Sequence, residues 1–175
     1  MKYRADKVAD FFCQIKKGNS YVEIPNVVGF SIPDITPGSN EMSGAGMIGT
    51  VNIPDPCNIE AMESSVTTSD DSGDAALLND LYNVEVILNW AIDKVGTDGS
   101  SEYIAHRAVI KAKAAVIPGG EVKKAESTEK EHKLATWYYQ EDVDGVTVTL
   151  VDALAPKLII NGKDCLEKLH KSLNK

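Results

Sequence analysis

The sequence predicts a mainly β protein with some α: an antiparallel β-sandwich or barrel with a short flanking helix and a helix at the C-terminus. Three observations predict it. Residues 103–114 alternate in polarity, with Ile104, His106, Ala108, Ile110, Ala112 and Ala114 on one side and Tyr103, Arg107, Lys111 and Lys113 on the other, the period of a half-buried strand. Runs rich in β-branched and aromatic residues are joined by short turns such as Lys17-Gly18-Asn19-Ser20 and Val143-Asp144-Gly145. Leucines at helical spacing occur in only two places, near residue 78 and near residue 169.

In chain order, Val8 to Ile15, Tyr21 to Ile24 and Val27 to Ile32 read as strands, and Pro25, Pro33 and Pro37 keep the later ones short or at an edge. Residues 38–56 are rich in Gly, Ser and Pro and read as a long loop or an extended hairpin. Asn58 to Thr68 turns β-branched towards its end. Ser69 to Asp74 then supplies a turn and an N-cap for a helix from Ala75 to Tyr82, whose Leu77, Leu78 and Leu81 face the core.

Val84 to Ile92 and the strand at 103–114 follow, separated by the turn Thr97-Asp98-Gly99-Ser100. Residues 118–131 are charged and nearly free of large apolar side chains, which predicts a solvent-facing connection. Lys133 to Glu141 and Val146 to Leu154 form a hairpin about Asp144-Gly145, and Lys157 to Ile160 adds a short strand. The last helix opens on Asp164 as N-cap with Glu167 as its capping-box partner; Leu166, Leu169 and Leu173 recur on one face with lysines opposite.

A length of 175 residues, 43% of them hydrophobic and 25% charged, suits one domain over 1–175. No apolar run nears the roughly 20 residues of a membrane span, and Met1 to Lys7 lead into no signal segment, so a soluble chain made in the cytoplasm is expected. Cys13, Cys57 and Cys165 lack paired spacing and read as separate thiols. A net charge of −8 argues against a nucleic-acid-gripping surface. Residues 18–93 hold twelve acids and no Lys or Arg, while the rest holds eighteen basic and fourteen acidic residues, a division into −12 and +4. If the two parts face opposite ways, copies attract head to tail; if the fold mixes them, only solubility follows.

Chemistry has few footholds. Gly44-Ala45-Gly46-Met47-Ile48-Gly49 fits G-x-G-x-x-G, yet β-leaning Thr50 to Ile53 and Pro54 follow where a dinucleotide site needs a helix. His106, His132 and His170 read as structural or surface histidines, Glu60 with Glu63 and Asp70 with Asp71 as solvated charge, and Trp90, Trp137, Tyr138 and Tyr139 as core. No catalytic residue, metal site or cofactor is expected. Met42, Met47 and Ile48 sit in a stretch with no periodicity; they either tuck onto this subunit's core or wait for a partner.

Glu41-Met42-Ser43-Gly44-Ala45-Gly46-Met47-Ile48-Gly49-Thr50 resembles the Gly-Ala-Gly-Met segment of the phage major tail tube proteins of contractile tails. Ala61 to Val66, Trp137 to Gln140 with Asp144-Gly145, and Asn161 to Glu167 are similar to later segments of that family, in the same order; Thr68 to Ser101 departs most. The resemblance implies a structural, non-enzymatic subunit that forms hexameric rings stacked head to tail inside a sheath, with Glu41 to Thr50 as an inter-subunit contact loop. The implied partners are further copies, the tail sheath protein, and the baseplate or tube initiator and terminator proteins. DNA is met only in transit, and the subunit binds no membrane. The implied location is the bacterial host cytoplasm during assembly, then the virion tail or a released, bacteriocin-like particle. Two other readings compete: a type VI secretion tube-like protein, and a small β-rich hydrolase using Glu60 and Glu63 or His106.

Overall fold

The computed structural model describes residues 3–70, 73–121, 123–124 and 128–173. Its strands are β1 (Tyr3–Lys17), β2 (Ser20–Glu23), β3 (Val27–Ser31), β4 (Pro37–Met42), β5 (Val51–Ile59), β6 (Met62–Thr68), β7 (Val84–Gly96), β8 (Ser101–Ala114), β9 (Lys130–Val143), β10 (Val146–Asp152), β11 (Lys157–Ile160) and β12 (Lys163–Asp164). A 3-10 helix covers Gly73–Asn79, and one α-helix, α1, covers Glu167–Ser172.

Ten of these strands form one antiparallel sheet in the order β12-β11-β10-β9-β8-β7-β1-β2, with β6 and β3 branching from β9. The branch is built into β9. Its residues 134–136 pair with both β6 and β8, and its residues 138–143 with both β8 and β10, so β6 and β10 succeed one another along the edge opposite β8. Trp137 is the bulge between them, and its carbonyl accepts the Ala153 N–H at 2.9 Å. The sheet thereby splits and folds over itself, laying β3 and β6 above the long strands as a sandwich.

Alternation supplies the core between the layers. Cys13 and Ile15 of β1, Val84, Val86 and Leu88 of β7, Ala108, Ile110 and Ala112 of β8, and Leu134 and Tyr139 of β9 point inward, against Ile24, Val66, Ala75 and Leu78. The face expected to pack at 103–114 does so, and Trp90 and Tyr139 lie in or against this core. A second, smaller core joins Met62, Val151, Leu158 and Leu166.

Of the two forms expected for residues 38–56, the extended hairpin is the one present. Several expected elements take a different form. The helix foreseen at 75–82 is a 3-10 helix ending at Asn79, because the Asp80 carboxylate takes the Tyr82 and Asn83 N–H groups and breaks the chain there. Leu81 is therefore exposed, not core-facing. Asp71 and Ser72, part of the expected cap, lie outside the described residues. Asp164 does not cap α1: it sits in β12 and accepts the Leu166 N–H at 2.8 Å, while Leu166 occupies the N-cap without a side-chain bond. Glu167 turns instead to Lys171, four residues on, at 2.5 Å. Of the leucine stripe only Leu166 is buried; Leu169 and Leu173 are exposed.

Candidate assembly surface

Strands β4 and β5 pair only with each other, as a separate two-stranded sheet in the register Gly38 with Asp55 through Met42 with Val51. Local chemistry fixes the base. The Glu60 N–H donates to the Thr36 carbonyl at 2.9 Å, Asp55 accepts the Cys57 N–H at 2.9 Å, and Ile35 and Ile59 rest on the smaller core. A Cβ on Gly38 would lie 2.6 Å from the Asn58 side-chain nitrogen and 3.3 Å from the Asn58 carbonyl oxygen, so the Asn58 side chain occupies the space that a glycine at 38 leaves open. At the tip, the Met47 N–H donates to the Gly44 carbonyl at 3.1 Å, and Gly46 and Gly49 take φ of +91° and +98°, backbone that side chains disfavour.

Every residue from 39 to 54 is exposed. A strand packed against a core hides alternate side chains; here neither face is hidden. Met42, Met47, Val51 and Ile53 are each roughly half exposed, and Ile48 fully so. The two ways of placing Met42, Met47 and Ile48 thus separate: they do not tuck onto this subunit's core. Val51 and Ile53 extend the apolar surface beyond the expected 41–50 segment, and their alternation with Asn52 and Pro54 was the available signal. An isolated two-stranded hairpin is marginal in water, and exposed apolar surface of this kind marks an interaction site.

The candidates for chemistry are structural. The G-x-G-x-x-G segment forms the hairpin tip between two strands, with no helix after it. His106 stacks on Trp90 at 5.0 Å between ring centres, and its Nδ1 lies 3.2 Å from Glu141, whose other oxygen accepts the Tyr139 hydroxyl at 3.0 Å. Burial, then the Glu141 charge, pushes the Tyr139 phenol well up. His132, which the sequence left as structural or surface within a charged segment, is structural and wholly buried: Thr68 lies 3.1 Å from Nε2 and Asn79 2.9 Å from Nδ1. Inward-facing parity in β9, shared with Leu134, outweighs its charged neighbours. His170 lies half-buried on α1. Glu63 pairs with Lys133 at 3.5 Å, and Asp71 lies outside the described residues. All three cysteines are free; burial, then the Glu23 charge, pushes the Cys13 thiol up to about 12, leaving it inert. Among the described residues no cluster of His, Cys, Asp or Glu could hold a metal ion.

Strand pairing partly erases the charge division. Asp93, Glu85, Asp74 and Glu63 of the acidic stretch pair with Lys7, Lys16, Lys17 and Lys133 from outside it. The outward face of the long strands is consequently a mixed polar network. Glu85 accepts from Tyr21 and Lys16, Lys111 lies 4.8 Å over the Tyr138 ring, and Asp142 accepts from Gln140 and Thr147 beside Arg107.

The model of the phage tail tube protein FII family matches residues 14–173 of the chain. The chain belongs to that family. No curated protein matches it. The match runs from near the end of β1 past the end of α1 and takes in the whole β4–β5 hairpin. Membership makes the protein a structural subunit of a tail tube, a part of the virion tail that assembles with further copies and with other tail proteins. Among the described residues of this tail tube subunit, no helix is long and apolar enough to cross a membrane.

Proposed function

We propose that the protein is the tube subunit of a contractile tail: hexameric rings stack head to tail into a hollow tube inside a sheath, and residues 1–175 act as one domain. The observation that carries this reading is the β4–β5 hairpin, whose Glu41 to Thr50 segment and flanking Val51 and Ile53 present exposed apolar side chains that the rest of the described residues leave uncovered. In a family that builds tubes, the occupant suited to those side chains is a neighbouring copy.

The work of such a subunit is passive. Subunits polymerise from a baseplate initiator up to a terminator, sheath contraction drives the rigid tube through an envelope, and DNA passes when a capsid is attached. Assembly begins in the host cytoplasm. The outward face of β1, β7, β8 and β9 suits a channel wall, because its carboxylates and cations neutralise one another and leave little to hold phosphates.

Negative-stain microscopy of the purified protein tests the proposal. Long tubes are expected; separate hexameric rings would favour a secretion-type tube, and monomers at high concentration would sink the reading. Replacing Met47 and Ile48 by Asp should leave the circular dichroism melt unchanged and abolish tubes. Tubes formed by that variant at the wild-type concentration would show that the hairpin is not the contact.

A further inference from the structure

The hairpin needs a seat, and the far end of the chain offers one. Leu169 and Leu173 of α1 are 40% and 56% exposed, and Leu154, in the turn between β10 and β11, is 75% exposed. Turn and helix adjoin: Ala155, Pro156, Lys157, Asp164 and His170 line one shallow cavity of about 410 Å³. Among the described residues nothing closes over these leucines.

Four lysines, at 157, 163, 168 and 171, outnumber the three carboxylates beside them, Asp152, Asp164 and Glu167. Asp152 is engaged by the Leu154 and Ala155 N–H groups, Asp164 by the Leu166 N–H, and Glu167 by Lys171. Lys157, Lys163 and Lys168 have no carboxylate partner among the described residues. The hairpin is the opposite case. Glu41 and Glu60 have no cationic partner among the described residues, Asp55 accepts only from Asn40 and the Cys57 N–H, and no Lys or Arg occurs between residues 18 and 93.

We propose that this basic, leucine-bearing surface of α1 and the β10–β11 turn receives the acidic, apolar hairpin of a second copy of the chain; the inference rests on reading the hairpin as an assembly contact. The two surfaces match in polarity and in sign, so the contact is self-complementary and heterologous, the geometry that propagates. The hairpin cannot turn its tip onto its own helix. Its base, Cys57 to Ile59, already lines a groove with Lys157 and Leu166, and six residues of strand carry the tip roughly 20 Å away from that base. A larger concavity of about 630 Å³ on the outward sheet face fits less well, since Asp10 and Asp142 outnumber Arg107, the one lysine or arginine in its lining.

The test uses charge reversal and its repair in the full chain. Changing Lys157, Lys163 and Lys168 to Glu should leave the melt unchanged and raise the concentration needed for tubes by on the order of tenfold or more. Glu41→Lys with Glu60→Lys should do the same, and one chain carrying all five changes should recover assembly. Added salt should raise the wild-type threshold. If the lysine reversals assemble at the wild-type concentration while Ile48→Asp does not, the hairpin docks elsewhere and this inference fails alone. Failure of the five-change chain to improve on either reversal would also overturn it. If Ile48→Asp assembles normally, the hairpin reading falls with it.

Discussion

Strands β7 and β5 are both antiparallel members of two-sided sheets, and they treat their apolar residues in opposite ways. In β7, Val84, Val86 and Leu88 are at most 1% exposed, closed in by β1, β8 and the layer of β3 and β6. In β5, Val51 and Ile53 are about half exposed and face no layer at all. The same hydrophobic effect acts on both. In β7 it is satisfied when the protomer folds; in β5 it is left to act when protomers meet. A protein that must be soluble as a subunit and rigid as a polymer gains from this separation, since the contact surface can change without loosening the fold.

The largest expected effect measures that separation. Leu88→Ala should lower unfolding free energy by about 3 kcal/mol, the usual cost of a core cavity. Ile53→Ala should change it by no more than about 0.5 kcal/mol, as exposed substitutions do. Urea titrations of both variants below the assembly threshold give the comparison. A large loss from Ile53→Ala would mean that the hairpin packs on the body, and the distinction between the two regions would collapse.

His132 sharpens the same contrast from the polar side. It is closed inside the sandwich and tied to Thr68 and Asn79, so His132→Leu should cost about 2 kcal/mol by leaving both partners unsatisfied. The exposed hairpin amide Asn52→Leu should cost nearly nothing in the monomer. Equal melting temperatures for wild type and His132→Leu would show that the buried bonds do not stabilise the fold.

Next in size is the hairpin base. Gly38→Ala puts a Cβ against the Asn58 side chain and carbonyl, so the Asn58 amide must swing away and the carbonyl must give by a few tenths of an ångström. The expected loss in the monomer is about 1 kcal/mol, because the hairpin contributes little to the core, while tube formation should suffer more than the melt. An unaltered assembly threshold in Gly38→Ala would show that the direction of the hairpin does not matter.

What could be read from the sequence follows the same line. Strands with one buried face announce themselves by alternation, and 103–114 shows it plainly; Asp144-Gly145 likewise marks its hairpin through residues at φ of +47° and +79°. The hairpin at 37–59 was legible only as one of two alternatives, a long loop or an extended hairpin, because both of its faces are wet and the alternation is confined to the short run Val51 to Pro54. The terminal helix is present as expected, but what its leucine face would meet was not legible, for the complementary reason. Its leucine stripe has the spacing of a core-facing helix, but Leu169 and Leu173 face outward, and spacing alone does not say which body a stripe will meet. His132 was hidden by its neighbours: composition averages over both faces of a strand, whereas burial obeys parity. Long-range ion pairs such as Lys16 with Glu85 depend on register, so the −12 and +4 division overstated the charge separation of the folded surface.

Glu85 turns that last point into the smallest effect. Burial by itself would raise its pKa, but hydrogen bonds from Tyr21 and Lys16, with the Lys16 and Lys111 charges, outweigh burial and hold the carboxyl below its ordinary 4.5. A carboxylate depressed in the folded state adds stability that is complete above the unfolded value and is lost as pH falls through the folded one. Glu85→Gln should therefore be less stable than wild type by about 1 kcal/mol at neutral pH, with the gap closing as pH drops below 4.5. Urea midpoints of the two proteins at several values between neutrality and strong acid test this, and a gap constant with pH would mean that the pairing does not hold the carboxylate in its charged form. Glu41→Gln, on the hairpin and without a cationic partner among the described residues, should leave the monomer midpoint at neutral pH unchanged and raise the assembly threshold. The same substitution thus loosens the fold at a carboxylate neutralised within the protomer, and loosens only the polymer at one left for a neighbour.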